Sequence, residues 1–97
     1  MANAYWIAFY KSINKPDQLA AYAKLAPAAI QAHGGKFLVR GMPSKTYELG
    51  VNQRVVVIEF PSVENAVAAH DSPAYQAALK VLGDGVERDM RIVEGVA

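Results

Sequence analysis

Two segments of this 97-residue chain are apolar on both sides, and they limit the folds open to it. Ala4 to Lys11 reads AYWIAFYK, and Arg54 to Phe60 reads RVVVIEF. Both are rich in aromatic and β-branched residues, which favours strands. Successive side chains of a strand point to opposite faces of its sheet, and here both sets are mostly apolar. The sheet that contains these strands therefore needs cover on both faces.

Helical segments follow each of these strands. Asn14 is predicted to cap the first helix, in which apolar residues recur at three- and four-residue steps. These residues are Leu19, Tyr22, Ala23, Ala26 and Ile30. Gly34-Gly35 is expected to end this helix, because helices often finish at a left-handed residue. Ser62 is predicted to cap a second helix, which Asp71-Ser72-Pro73 interrupts before another short one begins.

Two more strands complete the predicted order. They are Lys36 to Gly41 and Arg88 to Glu94, so the elements run β-α-β-β-α-β. This order predicts an α+β, ferredoxin-like split βαβ fold. Its four-stranded antiparallel sheet has the first and third strands at the centre and two helices on one face. The length fits one domain, residues 1–97.

The second face of such a sheet has no helix of its own. Monomers rarely expose a contiguous apolar patch larger than a few hundred Å². A second copy packed sheet against sheet, with two-fold symmetry, is the simplest cover. The sequence therefore predicts a homodimer.

Composition argues against several classes of function. Ten basic and nine acidic residues leave a net charge of +1 with no Lys/Arg run, so a nucleic-acid partner is not predicted. The chain has no cysteine, and its histidines, His33 and His70, form no metal motif, so neither a metal nor a cofactor is predicted. Neither a signal peptide nor an apolar run of about 20 residues is present, which indicates a cytoplasmic protein without a membrane partner.

Four segments resemble the signatures of a known family. They are 32–41 (AHGGKFLVRG), 57–62 (VIEFPS), 72–76 (SPAYQ) and 92–95 (IVEG). Together they resemble the bacterial domain-of-unknown-function family 1330. That family is similar to the dimeric α/β-barrel superfamily of ferredoxin-like fold, which includes cofactor-free monooxygenases, lactone isomerases and haem-handling enzymes. The resemblance implies the fold and the dimer, and it implies no particular activity.

Three residues are candidates for catalysis: His33, Arg40 and Glu59. His33 follows the first helix, where it either balances the helix dipole or acts as a general acid or base. Arg40 and Glu59 lie on adjacent strands, where they form a structural ion pair or Arg40 anchors an anionic or carbonyl-bearing ligand. Arg40 is the strongest candidate for a ligand contact. The other strand arginines are interpreted as solvated edge residues: Arg54, Arg88 and Arg91.

Three aromatic residues are candidates for ligand binding, with the hydrophobic core as the alternative: Tyr22, Tyr75 and Trp6. His70-Asp71-Ser72 resembles a catalytic triad only in composition, because neighbours at a helix end point in different directions. A cap explains Ser72 better.

Two functions stay open at this stage. The first is a pocket between sheet and helices that binds or transforms a small aromatic or carboxylate-bearing molecule, by analogy through cofactor-free oxidation or isomerisation. The alternative is a non-catalytic structural, regulatory or stress-related accessory dimer, since no complete catalytic constellation is present. A haem-handling role is a third hypothesis and needs His70 to face an apolar cavity. Whether the chain is an enzyme is left undecided.

Overall fold

The predicted order of elements is present in the computed structural model, which describes residues 2–96. The elements are β1 (Ala4–Ile13), α1 (Pro16–Gln31), β2 (Lys36–Gly41), β3 (Val55–Phe60), α2 (Val63–Asp71), α3 (Pro73–Leu82) and β4 (Val86–Glu94). β1 and β4 are longer than the sequence predicts, because their ends pair with each other as far as Ile13 and Val86. The other strand boundaries agree with the prediction to within one residue.

The four strands form one antiparallel sheet in the order β2-β3-β1-β4. At its centre, Trp6 of β1 pairs with Ile58 of β3 and with Ile92 of β4. The predicted α+β, ferredoxin-like fold, with the first and third strands central, is therefore confirmed. Three helices accompany the sheet, because the second helical segment breaks into α2 and α3 at the predicted position.

The caps of the two short helices are as predicted. The Ser62 hydroxyl accepts the backbone N–H of Asn65 at 3.1 Å and begins α2. The Ser72 hydroxyl accepts the backbone N–H of Tyr75 at 3.2 Å and begins α3. Each hydroxyl satisfies one of the N–H groups that a helix start leaves free.

The predicted cap of α1 is wrong. Lys15, not Asn14, is the residue before the helix, and no side chain caps it. The backbone N–H groups of Asn14 and Lys15 instead donate to the carbonyl oxygen of Gly85, at 2.8 and 2.9 Å. These bonds attach the segment before α1 to the turn that precedes β4.

The two faces of the sheet have different surroundings. The face toward the helices forms the core, whose largest fully buried side chains are Trp6, Tyr75, Phe60, Ile30 and Ile58. The opposite face, here called the open face, carries the alternate strand residues, among them Tyr5, Ile7, Phe9, Val39, Val55, Val57 and Val93. Val39, Val93 and Phe9 each expose more than two fifths of their surface. Within residues 2–96, no helix is both long and apolar enough to cross a membrane.

Candidate functional site

A pocket lies between the helix face of the sheet and α1. The strands contribute Trp6, Ala8, Tyr10, Phe37, Val56 and Ile58 to its lining, and α1 contributes Leu19, Tyr22, Ala23, Ala26, Pro27 and Ile30. Its volume is about 40 Å³. A water molecule needs at least about 10–15 Å³ on this measure, so the pocket has room for only a few waters. An organic ligand therefore requires side chains at the mouth to move, and the exposed Arg40 is the one best able to do so.

Three arginines complete the lining: Arg40 on β2, Arg54 immediately before β3, and Arg88 on β4. No acidic side chain of the described chain lines the pocket, and none of the three arginines forms a salt bridge within residues 2–96. Each guanidinium carbon instead lies 5.0–5.8 Å from an aromatic ring centroid, at Phe37, Tyr10 or Tyr22. Aromatic faces attract cations without neutralising them, so the pocket keeps its positive charge.

Arg88 is held by three phenol oxygens. Its Nη1 donates to the hydroxyl of Tyr10 at 3.0 Å and to that of Tyr22 at 3.4 Å, and its Nη2 donates to that of Tyr75 at 3.2 Å. Burial lowers the pKa of Arg88, but the interactions with the tyrosine oxygens raise it by a larger amount, so the net shift is upward. The group stays cationic, and its direction is fixed by β1, α1 and α3 together.

The hydroxyls of Tyr22 and Tyr75 lie 2.6 Å apart in a buried hydrogen bond. Tyr75 is fully buried, whereas Tyr22 lines the pocket. Burial is the largest cause of an upward shift in the pKa of Tyr75. Tyr75 is therefore a neutral phenol that carries its hydrogen at any ordinary pH.

Arg54 presents an unsatisfied hydrogen-bond donor. Its Nε is buried and has no hydrogen-bond partner in the part of the chain that the structure describes. A buried donor without a partner is costly and rare in folded proteins. Because Arg54 lines the pocket, an acceptor bound there is positioned to satisfy this group.

Comparison with protein families identifies the chain at the level of family. The family model described as domain of unknown function (DUF1330) matches residues 3–96. The chain belongs to this family. A search of curated proteins found no match.

Solved structures show that this DUF1330 chain shares its fold with several proteins. RPA0582 of Rhodopseudomonas palustris, a protein of unknown function, matches with a TM-score of 0.79 and 16% identity over 99% of this chain and 84% of that one. SnoaB of Streptomyces nogalater, a cofactor-independent oxygenase, matches with a TM-score of 0.67 and 10% identity over 100% and 96%. A nipsnap family protein with unknown function from Agrobacterium tumefaciens matches with a TM-score of 0.59 and 18% identity over 98% and 89%. At these identities the similarity establishes the fold alone.

The predicted ligand-binding residues come together in the DUF1330 chain. Arg40, Tyr22 and Trp6 line the pocket, and Tyr75 lies one hydrogen bond behind Tyr22. The three aromatic residues also fit the core alternative, because all of them are buried, whereas Arg40 is exposed. Their role in ligand binding stays a prediction.

The predicted ion pair between Arg40 and Glu59 is not formed within the chain. Arg40 pairs with Val56 on the helix face, whereas Glu59 lies on the open face and accepts the hydroxyl of Tyr5 at 3.1 Å. An irregularity between Phe37 and Val39 changes the alternation of β2, so that Arg40 turns toward the helices. The two charged groups are therefore on opposite faces of the sheet.

His33 and Glu59 do not line the pocket, so neither candidate meets a ligand bound there. The Nδ1 of His33 lies 3.2 Å from the carbonyl oxygen of Ala29, at the end of α1. This contact agrees with the structural alternative for His33, since a carbonyl oxygen at a helix end accepts from a protonated ring nitrogen.

His70 faces a separate groove, which it shares with Val67, Asp71, Met90 and Ile92. Its Nδ1 lies 3.0 Å from the Asp71 carboxylate, and its ring centroid lies 5.6 Å from that of Trp6. His70 therefore does not face the pocket described above, but most of the other residues of its own groove are apolar, so the haem hypothesis stays a prediction. Within residues 2–96, no group of three or more metal-ligating side chains is arranged to hold an ion.

The interpretation of Arg54 and Arg88 as solvated edge residues is wrong, whereas Arg91 is two thirds exposed and pairs with Asp89, as a solvated residue would. The alternation of side chains along the strands could have predicted that Arg54 and Arg88 face the core. Arg88 shares its face with Met90 and Ile92, and Arg54 shares its face with Val56 and the apolar residues that follow at steps of two. Each arginine thus continues a stripe of side chains that pack in or against the core.

Proposed function

We propose that the pocket binds a small organic anion with an apolar body and a carboxylate-type head group. The observation that supports this most strongly is the set of three arginines without an acidic partner in an otherwise apolar pocket. Burial of a charge is costly unless an opposite charge or good hydrogen bonds compensate it. A carboxylate supplies both, since guanidinium groups bind it with parallel hydrogen bonds.

The apolar lining accounts for the rest of the ligand. The rings of Trp6 and Phe37 and the side chain of Ile30 form walls that favour an aliphatic or aromatic body. An acceptor bound near Arg54 also removes the penalty of its unpaired Nε–H, which is about 1–3 kcal/mol for a buried donor. Charge and shape therefore favour the same class of ligand.

Calorimetric titration with acetate, butyrate and benzoate tests this proposal. We expect affinity to rise with the apolar body, because each buried CH₂ contributes about 0.8 kcal/mol. Arg54→Met should weaken benzoate binding about tenfold or more, the loss typical of a charged hydrogen bond. Lys80→Met is the matched control, since it removes the same charge from an exposed position of α3 that does not line the pocket. Equal affinities in both variants, or no binding of any carboxylate to the unaltered protein, would contradict the proposal.

A second candidate is cofactor-independent oxygenation of a hydroxylated aromatic acid. The fold shared with SnoaB and the aromatic wall around Trp6 favour it, because the same arginines would stabilise an oxyanion formed on the substrate. Oxygen consumption with 2,5-dihydroxybenzoate, above autoxidation and sensitive to Arg54→Met, would support it. Binding of the same acid without turnover would favour the non-catalytic accessory role.

We also propose that the chain acts as a homodimer joined through the open face. Val57 and Ile7 lie side by side at the centre of this face, Val39 and Arg91 flank them on the outer strands, and Phe9 is the next residue of β1 on the same face. Partly exposed apolar residues on adjoining strands form one continuous patch, which is typical of an interface. A two-fold arrangement allows the same patch to serve both subunits.

A further inference from the structure

The hydroxyl of Tyr75 has a single possible acceptor. Tyr75 is fully buried, and its oxygen contacts only the Tyr22 hydroxyl, at 2.6 Å, and Arg88 Nη2, at 3.2 Å, among the described side chains. A guanidinium donates hydrogen bonds and cannot accept them. Because a buried hydrogen without an acceptor is costly, Tyr75 donates to Tyr22.

This direction determines where the hydrogen of Tyr22 points. The Tyr22 oxygen receives one hydrogen from Tyr75 and a second, at 3.4 Å, from Arg88. A phenol oxygen that accepts twice has no further lone pair to offer. The hydrogen of Tyr22 has no acceptor within residues 2–96, and the side chain of Tyr22 lines the pocket.

Tyr10 and Arg54, which also line the pocket, each have a hydrogen-bond donor without an acceptor among the described residues. The Tyr10 oxygen accepts from Arg88 at 3.0 Å, and its own hydrogen has no acceptor among the described residues. The Nε–H of Arg54 is likewise buried and unpaired. Tyr10, Tyr22 and Arg54 therefore each offer a hydrogen to the pocket.

We propose that Tyr75 is a positioning residue that directs the hydroxyl of Tyr22 into the pocket, so that the site selects a deprotonated head group able to accept several hydrogen bonds. For the nature of the ligand this inference rests on the proposed function. The direction of the Tyr75–Tyr22 hydrogen bond does not depend on it. An upward-shifted pKa keeps the Tyr75 hydrogen in place at ordinary pH.

A double-mutant cycle with benzoate distinguishes this role from simple packing. Tyr22→Phe removes the donor and should weaken binding about tenfold. Tyr75→Phe leaves the Tyr22 hydroxyl undirected, and we expect a loss of about threefold, below the typical value for a whole bond. The double variant should bind as Tyr22→Phe does, because the proposed positioning role of Tyr75 requires the Tyr22 hydroxyl. Additive losses in the double variant would overturn the proposal.

Selectivity provides a second readout. In Tyr75→Phe, the Tyr22 oxygen regains a free lone pair and can accept from the amide N–H of benzamide. The ratio of benzoate to benzamide affinity should therefore fall in Tyr75→Phe and stay unchanged in Tyr47→Phe, which alters an exposed tyrosine. An unchanged ratio in both variants would contradict the positioning role.

Proton NMR of the ligand-free protein tests the hydrogen bond by itself. A short buried bond should give an exchange-protected, downfield hydroxyl signal that disappears in Tyr75→Phe and moves in Tyr22→Phe. If this signal is present but no carboxylate binds, the Tyr75–Tyr22 hydrogen bond is supported and the proposed function fails. If no such signal is found, the positioning role of Tyr75 is wrong even where benzoate binds.

Discussion

The partly buried cation Arg88 is surrounded by hydroxyl oxygens and not by a carboxylate, so it is not one half of a structural ion pair within residues 2–96. A carboxylate partner would cancel the charge, whereas the hydroxyls of Tyr10, Tyr22 and Tyr75 only orient it. The positive charge therefore remains available to a ligand. Tyr75 contacts both Arg88 and the pocket residue Tyr22, so it orients the guanidinium and also the Tyr22 hydroxyl.

Tyr75 should make the stability of the fold sensitive to alkaline pH. Burial is the chief cause that raises its pKa above 10.0, the usual value for tyrosine. The folded chain therefore retains a proton that the unfolded chain releases above about pH 10. The free energy of unfolding is unaffected by this group below that pH and decreases by about 1.4 kcal/mol per pH unit above it.

Urea unfolding between pH 9 and pH 11 measures this decrease. Above about pH 10, Tyr75→Phe should show a shallower decline than the unaltered chain, by about 1.4 kcal/mol per pH unit. Tyr47→Phe serves as the control, because its ring is three quarters exposed and should leave the decline unchanged. Parallel curves for the unaltered chain and Tyr75→Phe would show that Tyr75 ionises in the folded state.

At the scale of elements, the connection from α1 to β2 holds the pocket wall against the sheet. Gly34 has a φ of 85°, in the left-handed region that favours glycine. Glycine is required at position 35 for a different reason, because there is no space for a side chain. A Cβ built at Gly35 would lie 2.8 Å from the Phe60 ring and 2.9 Å from the carbonyl oxygen of Ile30. The close approach of α1 to β3 therefore depends on the missing side chain.

Gly35→Ala should destabilise the fold by about 1–3 kcal/mol, the usual cost of an overpacked site. Gly41→Ala at the other end of β2 is a matched control, because a Cβ there meets nothing within 4 Å. The free energy of unfolding in urea should decrease clearly for the first variant and change little for the second. Similar values for both would mean that α1 adjusts freely to the added methyl group.

On the scale of the whole molecule, the open face is the side of the sheet that no helix of the described chain covers. The chain measures 36 × 34 × 15 Å, so its shortest dimension accommodates one sheet and one layer of helices. The helices all lie on one side, and the other side presents its apolar strand residues to solvent. A second copy packed sheet to sheet would cover this apolar side.

Sedimentation should show two copies of the 10.5 kDa chain in the unaltered protein at micromolar concentration. Val57→Glu places a charge at the centre of the proposed interface and should give monomers, since an unpaired buried charge is strongly unfavourable. Leu25→Glu adds the same charge to an exposed position of α1 and should leave the dimer intact. A monomeric unaltered protein would refute the homodimer, and with it the interpretation of the open face.

Much of this fold could be predicted from the sequence, because the signals are local. Ser62 and Ser72 cap helices three residues away from the groups they bind, and alternation within β3 separates its two apolar faces. Such patterns act over one or two turns or a single strand. The site was predicted less completely: Arg40, Tyr22 and Trp6 were identified as pocket residues, whereas Arg54 and Arg88 were not.

What the sequence determined by itself was the order of strands and helices, together with the excess of apolar faces over helices to cover them. Which charged groups face the pocket depends on how the elements pack together. One extra residue near Leu38 reverses the alternation of β2 and sends Arg40 away from Glu59. Arg88 meets hydroxyls that are brought by three separate elements. These outcomes depend on register and on packing between distant segments, and no short window of sequence contains either.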